Sequence, residues 1–311
     1  MKVIFWGTPA FSLPALRALG DEGHDLMAVV TQPDRPAGRG REVTPSPVKL
    51  EALSEGLPVL QPEKARGDDF VAELRAFDAD ISVVVAYGQI LKPEVLAVPR
   101  LGSVNIHGSL LPELRGAAPV QWAIIRGLEQ TGVTIMQMDA GLDSGPTLLR
   151  VEEPIVADES ASELAGRLAE IGAEALIEAL ALLEAGQLVR EDQDHARATY
   201  APKLDRETAR LDWSLPAVDV SRWMRGLDDV PGAWSPLGAR GPVKLFRPRL
   251  DDRGGEPGTV LDAGESGVLI ACGQGSVRVS EVQPQGKRRM PAGEWVRGRG
   301  VAVGDRFGVE G

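Results

Sequence analysis

The run DISVVVA (80–86) is apolar and β-branched almost throughout, and it decides the fold class. A strand with one wet face alternates polar and apolar residues, so a continuous apolar run belongs inside a sheet covered on both faces. Working outward, KVIFW (2–6) is a second such run, closed by GTP and followed by the helically spaced FSLPALRAL (11–19). Residues 25–31 and 102–107 read as further strands. Strands alternating with helices predict an α/β fold built on a doubly wound, mostly parallel, Rossmann-like sheet. Such sheets bind ligands beyond the carboxyl ends of their strands, which directs attention to the end of the 102–107 strand.

That strand leads into VNIHGSLLPELRG (104–116), and GVTIMQMDAGLDSGP (132–146) follows. Asn105 and His107 are two apart, so on a strand they share a face. An amide donor and an imidazole side by side suit a developing oxyanion, and the carboxylate of Asp143 can orient the imidazole or take a proton. Asn, His and Asp at strand ends also commonly serve backbone groups in turns. Histidine is scarce in this chain, occurring only at 24, 107 and 195, which makes a ring in this context a stronger catalytic candidate.

Composition bounds the rest. A chain of 311 residues that is 43% apolar has material for two domains. The polar, mixed-charge stretch 187–207 reads as a linker, so domains are expected at 1–188 and 207–311, joined by 189–206. A long helix is expected over 160–185, with Ser160 as N-cap and Gly186 just past its end. Beyond the linker come a short helix near 216–226 and strand-like runs at 242–247, 258–262, 267–271 and 277–282, a pattern that suits a small β-barrel.

The single cysteine, Cys272, excludes an intramolecular disulfide and a cysteine-based metal site, and no metal is expected. The first residues run straight into a strand without a signal-peptide pattern, and no apolar run is long enough for a membrane span. A soluble cytoplasmic protein is expected. WGTPAF (6–11) lacks the G-x-G-x-x-G fingerprint and no phosphate-binding P-loop occurs, which disfavours dinucleotide and nucleotide chemistry.

The net charge of −11 argues at first against a nucleic-acid partner. The acidity is confined to the front, however. Residues 1–206 hold 19 Lys and Arg against 31 Asp and Glu, whereas 207–311 hold 15 against 14. Cations of the back part gather in KLFRPR (244–249), GKRR (286–289) and VRGRG (296–300). Trp213, Trp223, Trp234 and Trp295 could stack on bases, but core packing is the expected role for most of them.

NIHGSLLPELRGAAPVQWAI (105–124) and GVTIMQMDAGLDSG (132–145), with TQPDRPAGRGRE (31–42) ahead of PSPVK (45–49), resemble the folate-dependent formyltransferases, and among them the members acting on methionyl-tRNA. The likeness runs from WGTPAF through PQGKRRM (284–290). It implies a formyltransferase catalytic domain followed by a C-terminal OB-like barrel that binds tRNA. It also implies transfer of a formyl group from 10-formyltetrahydrofolate to the α-amine of methionyl initiator tRNA; a monomer is expected. Asn105 would donate to the oxyanion, His107 would add a second hydrogen bond and shuttle the proton, and Asp143 would hold the imidazole or accept the proton of the amine.

By the same resemblance the folate lies along Ser109, Leu110, Leu111 and Pro112, with Ile90 and Leu91 lining the pocket. The 132–146 segment, read as a loop with Gly141 and Gly145, closes around the pterin. Arg39, in a loop rich in Arg, Pro and Gly, enters the acceptor end of the tRNA, with Arg35 and Arg41 as lesser contributors. Glu42 departs from the family pattern and weakens the charge of that loop. A formyltransferase for a nucleotide-linked amino sugar would share the three polar residues, and a binding module without turnover is the reading from another class. A glycinamide ribonucleotide enzyme would end near residue 200.

Overall fold

The computed structural model describes residues 1–37 and 42–310. The chain folds into two compact units, one made of residues 1–119, 131–154 and 165–201, the other of 120–130, 155–164 and 202–311.

The first unit opens with β1 (Lys2–Gly7), α1 (Leu13–Asp21), β2 (Asp25–Val30), the short strands β3 (Arg35–Ala37) and β4 (Glu42–Thr44), α2 (Pro47–Ser54) and β5 (Val59–Leu60). It continues through α3 (Asp68–Ala76), β6 (Ile81–Val85), α4 (Pro93–Leu96) and β7 (Ser103–His107). After α5 (Pro119–Ile125), which belongs to the second unit from residue 120 on, come β8 (Gln130–Gln137), β9 (Thr147–Pro154) and the long α6 (Ala161–Glu184), whose residues 165–184 lie in the first unit. The sheet order is β5-β2-β1-β6-β7-β8-β9, so the winding reverses between β1 and β6. Strands β5 to β7 are parallel, and β8 runs antiparallel to β7.

The apolar runs explain this placement. Val3, Ile4 and Phe5 of β1 and every residue of β6 are buried, and covering each such Val or Ile contributes roughly 1.5–3 kcal/mol. Residues 132–137, expected within a loop, instead belong to β8. The physical reason is that VTIM (133–136) is itself a buried strand run between β7 and β9, and Gly132 permits the close approach: a Cβ there would sit 2.1 Å from the Val151 carbonyl oxygen.

Helix α6 begins with a reciprocal cap. Ser160 Oγ accepts from the Glu163 N–H at 3.3 Å, and a Glu163 carboxylate oxygen accepts from the Ser160 N–H at 2.9 Å. Gly172 lies midway along the helix, and a Cβ there would come 2.8 Å from Ile106 Cγ2 and 3.4 Å from Val133 Cγ1. The missing side chain lets α6 settle on β7 and β8. Because Ile106 points toward α6, its neighbours Asn105 and His107 point to the opposite face.

The second unit contains α7 (Ala217–Gly226), β10 (Trp234–Gly238), β11 (Pro242–Asp251), β12 (Val260–Gly264), β13 (Gly267–Ala271), β14 (Ser276–Pro284), β15 (Met290–Pro291), α8 (Ala292–Arg297) and β16 (Val309–Glu310). Its strands follow the order β12-β13-β14-β11-β10-β16 in an OB-like half-barrel, with β11 to β14 pairing antiparallel. Arg247, with φ of 53°, drops out of the pairing of β11 with β14, which resumes in the same register at Pro248. Trp213 and Trp295 are core residues, with Trp213 Nε1 donating to Ser235 Oγ at 2.9 Å. Trp223 and Trp234 are partly buried against the same core. Cys272 is buried there too, and desolvation pushes its thiol up to about 12.

Candidate active site

Strand β7 presents Asn105 and His107 side by side. One N–H of the Asn105 amide donates to the Val84 carbonyl of β6 at 3.0 Å, which fixes the side chain and leaves its second N–H for a ligand. His107 is buried, and its Nε2 lies 3.0 Å from the Leu114 carbonyl oxygen. A carbonyl only accepts, so Nε2 is assigned the hydrogen and the neutral ring keeps a lone pair on Nδ1. The Leu114 carbonyl is aimed by a left-handed backbone at that residue, φ 58°, held by a 2.9 Å bond from its N–H to Thr199 Oγ1. A leucine in that conformation is strained by roughly 1–2 kcal/mol.

Asp143 arrives from the loop between β8 and β9 and faces the free side of the ring. Its Oδ2 is 3.8 Å from His107 Nδ1 and accepts a 2.8 Å hydrogen bond from the Gly116 N–H. Asp143 is also left-handed, φ 49°. Gly145 allows the loop to fold back tightly, since a Cβ there would lie 2.0 Å from the Gln137 carbonyl oxygen. Gly141 donates its N–H to Asp139 at 2.9 Å, within a turn that also takes Ser144 Oγ.

The three candidates of the reaction centre therefore meet, though the donor role of His107 changes. Its Nε2–H is occupied by the Leu114 carbonyl, so any bond from this ring to a developing oxyanion comes from Nδ1 after that atom has gained a proton.

The 109–112 stretch is a wall whose polar groups are mostly used internally. Ser109 Oγ donates to the Glu113 carbonyl at 2.6 Å, Thr134 Oγ1 donates to the Ser109 carbonyl at 2.7 Å, and the Leu111 N–H donates to Thr134 Oγ1 at 3.1 Å. Ser109, Leu111 and Pro112 are buried and Leu110 is partly exposed. Leu91 is a core residue, packed with Trp6 and Tyr87. Ile90 is 85% exposed in the loop after β6 and Leu142 is 56% exposed in the loop after β8. Apolar side chains held out in water this way suit the rim of a flat, partly apolar ligand.

Sequence reasoning misses the layer behind the centre. Gln193 and Arg115 are both buried, and Gln193 Oε1 accepts from Arg115 Nη2 at 2.6 Å. Residues 199–201 lie along 112–118, with the Arg115 N–H bonded to the Thr199 carbonyl at 2.9 Å and the Ala201 N–H to the Arg115 carbonyl at 2.7 Å. A buried glutamine within a polar, mixed-charge stretch has no periodic signature, and only its lack of company with apolar residues marks it out. Arg35 is exposed, and Arg39 and Arg41 lie outside the described residues. Among the described residues no cluster of three or more His, Cys, Asp or Glu could hold a metal ion, and no helix is long and apolar enough to cross a membrane.

Comparison with known proteins is consistent along the chain. A family model described as formyl transferase matches residues 1–180, and one described as formyl transferase, C-terminal domain, matches residues 203–300. The methionyl-tRNA formyltransferase of Geobacter sulfurreducens is 45% identical over 311 residues, covering 100% of this chain and 98% of that protein. That of Pseudomonas paraeruginosa is 51% identical over 288 residues, 92% of this chain and 93% of that one. Among solved structures, HypX from Aquifex aeolicus in complex with tetrahydrofolic acid superposes with a TM-score of 0.69 at 19% identity. That superposition covers 95% of this chain and 47% of HypX, so this chain spans about half of its length. The sugar 3N-formyltransferase WlaRD has a TM-score of 0.66 at 16% identity, covering 93% of this chain and 99% of that one.

Proposed function

Because the chain belongs to the formyl transferase family, we propose that Asn105, His107 and Asp143 form its reaction centre and that it formylates the α-amine of methionyl initiator tRNA. The observation that carries this reading is the junction at β7, where a free amide N–H stands beside an imidazole whose open nitrogen faces a carboxylate. When bound, 10-formyltetrahydrofolate supplies the formyl group on N10. The chain supplies the rest: Ile90, Leu142 and the wall 109–112 would enclose the folate, and the free Asn105 N–H would face the formyl oxygen.

Attack of the amine forms the new N–C bond and moves an electron pair onto the formyl oxygen, where the Asn105 donor is worth roughly 3–4 kcal/mol. His107 Nδ1, backed by Asp143, takes the proton released by the amine. The same proton is available for N10 as its bond to the formyl carbon breaks, which balances the transfer without a metal ligand from the chain. Fixed hydrogen bonds behind both side chains mean little reorganisation accompanies the charge movement.

Residues 1–188 carry this chemistry in our reading, 189–206 join them to the remainder, and 207–311 bind tRNA. Arg39 enters the acceptor end. Of the basic clusters, KLFRPR has its arginines engaged, Arg247 with Glu163 and Arg249 with Asp158. Lys287 and Arg288 are exposed and form no ion pair among the described residues, which makes GKRR the better phosphate contact. A monomer working in the cytoplasm, where charged tRNA is consumed, completes the reading. The test is formyl transfer to methionyl initiator tRNA against methionyl elongator tRNA. Transfer to the initiator in large excess is expected, and no transfer to either would sink the assignment.

A further inference from the structure

Asp143 stands on a loop whose neighbours are largely exposed, yet its carboxylate must keep its distance from a buried ring. The side chain that reaches this loop from behind is Gln193, 7% exposed. Its Nε2 donates to the Asp143 carbonyl at 3.0 Å and to the Gly145 carbonyl at 2.7 Å. Its Oε1 accepts from Arg115 Nε at 3.1 Å and from Arg115 Nη2 at 2.6 Å. Both N–H donors and both acceptor sites of the amide are thus filled.

Arg115, 4% exposed, also donates to His195 Nδ1 at 3.1 Å, and the next residue supplies the Gly116 N–H that holds the Asp143 carboxylate. The Arg115–Gly116 segment therefore grips Asp143 twice, directly at the carboxylate and through Gln193 at the backbone. Only an amide offers two donors to carbonyls and an acceptor to a guanidinium at once; a carboxylate lacks the donors and an ammonium lacks the acceptor. A buried guanidinium facing neutral acceptors is costly, and apolar side chains would hold the two segments together more cheaply. The arrangement is therefore one of placement.

We propose that Gln193 is a positioning residue for formyl transfer, locking the left-handed backbone of Asp143 so that its carboxylate stays opposite His107 Nδ1. This rests on the reading of Asp143 and His107 given above. Gln193→Glu keeps the size and gives Arg115 a charged partner, but it replaces the doubly donating NH2 with a single oxygen facing two carbonyls. In the folded variant the Kd for tetrahydrofolate should stay within about threefold of wild type, while single-turnover transfer to charged initiator tRNA falls about 10- to 100-fold, as a small misplacement at a reacting centre demands. The pH dependence of that rate should also move. In an Asp143→Asn background the same change should cost nothing further.

A second variant removes the link without leaving a charge: Gln193→Met with Arg115→Met, for which the same loss of rate is expected whether or not Gln193→Glu folds. Wild-type rates in the folded variants, or a loss that multiplies with that of Asp143→Asn, would overturn the proposal. If Asp143→Asn alone transfers at the wild-type rate, the role of Asp143 itself falls and the proposal falls with it. A slow Asp143→Asn beside a fast Gln193→Glu overturns the positioning role alone.

Discussion

Single atoms at the proposed reaction centre have separable expected duties. Asp143→Asn keeps an oxygen for the Gly116 N–H and tolerates the left-handed backbone, as asparagine does. Folding and folate binding should survive while single-turnover transfer drops steeply. Asn105→Ala removes the donor outright, and its rate should fall by roughly a hundredfold or more at nearly unchanged folate affinity; stopped-flow or quenched-flow transfer with both variants checks the pair. The spacing of Asn105 and His107 is legible in the sequence because strand alternation translates directly into a shared face. The tautomer of His107 is not, since it depends on a carbonyl seven residues on, turned inward by the backbone of Leu114. Gln193 is illegible for the same kind of reason: its partners Arg115, Asp143 and Gly145 are remote in sequence.

Among the elements, helix α6 carries two expected outcomes. Gly172→Val forces a side chain into Ile106 and should lower the unfolding free energy by roughly 1–3 kcal/mol in denaturant titrations, with Ile106→Ala recovering part of the loss in the double variant. At the start of the helix, the Ser160 N–H first, and then Arg247, hold the Glu163 carboxyl down at about 2 from an ordinary value of 4.5. A depressed folded-state value means the stabilisation is complete above about 4.5 and is lost as pH falls toward about 2. The difference in melting temperature between wild type and Glu163→Ala should therefore be largest near neutral pH and shrink between pH 4.5 and 2. A difference that does not change with pH would count against the ionised cap. The cap is readable as Ser160 ahead of a helical pattern, and the buried parallel strands are readable from their apolar runs. Strand β8 is hidden because its run lies between glycines that resemble a loop, and those glycines serve close backbone packing instead.

For the whole molecule the expected signature is electrostatic. A chain of net charge −11 that binds a polyanion must do so through local cations, so the KM for tRNA should rise log-linearly with salt while the Kd for folate barely responds. Lys287→Glu with Arg288→Glu should raise that KM and flatten the salt slope by roughly 0.7–0.9 per phosphate contact removed. Initial-rate measurements at several salt concentrations read both effects. An unchanged slope would move the contact away from GKRR.

The segment 193–201, which lies along 112–118 and behind Asp143, also has a bearing on birth order. Residues 105, 107 and 143 leave the ribosome well before Gln193, Thr199 and Ala201, whose bonds to 112–118 and 143–145 hold the Asp143 loop and the Leu114 carbonyl that faces His107. On the proposed roles, a nascent chain arrested short of residue 201 holds the three candidate side chains and lacks the bonds that place Asp143 and the Leu114 carbonyl against His107, so competence for turnover would arrive late in synthesis, when the first unit is closed by its own last segment.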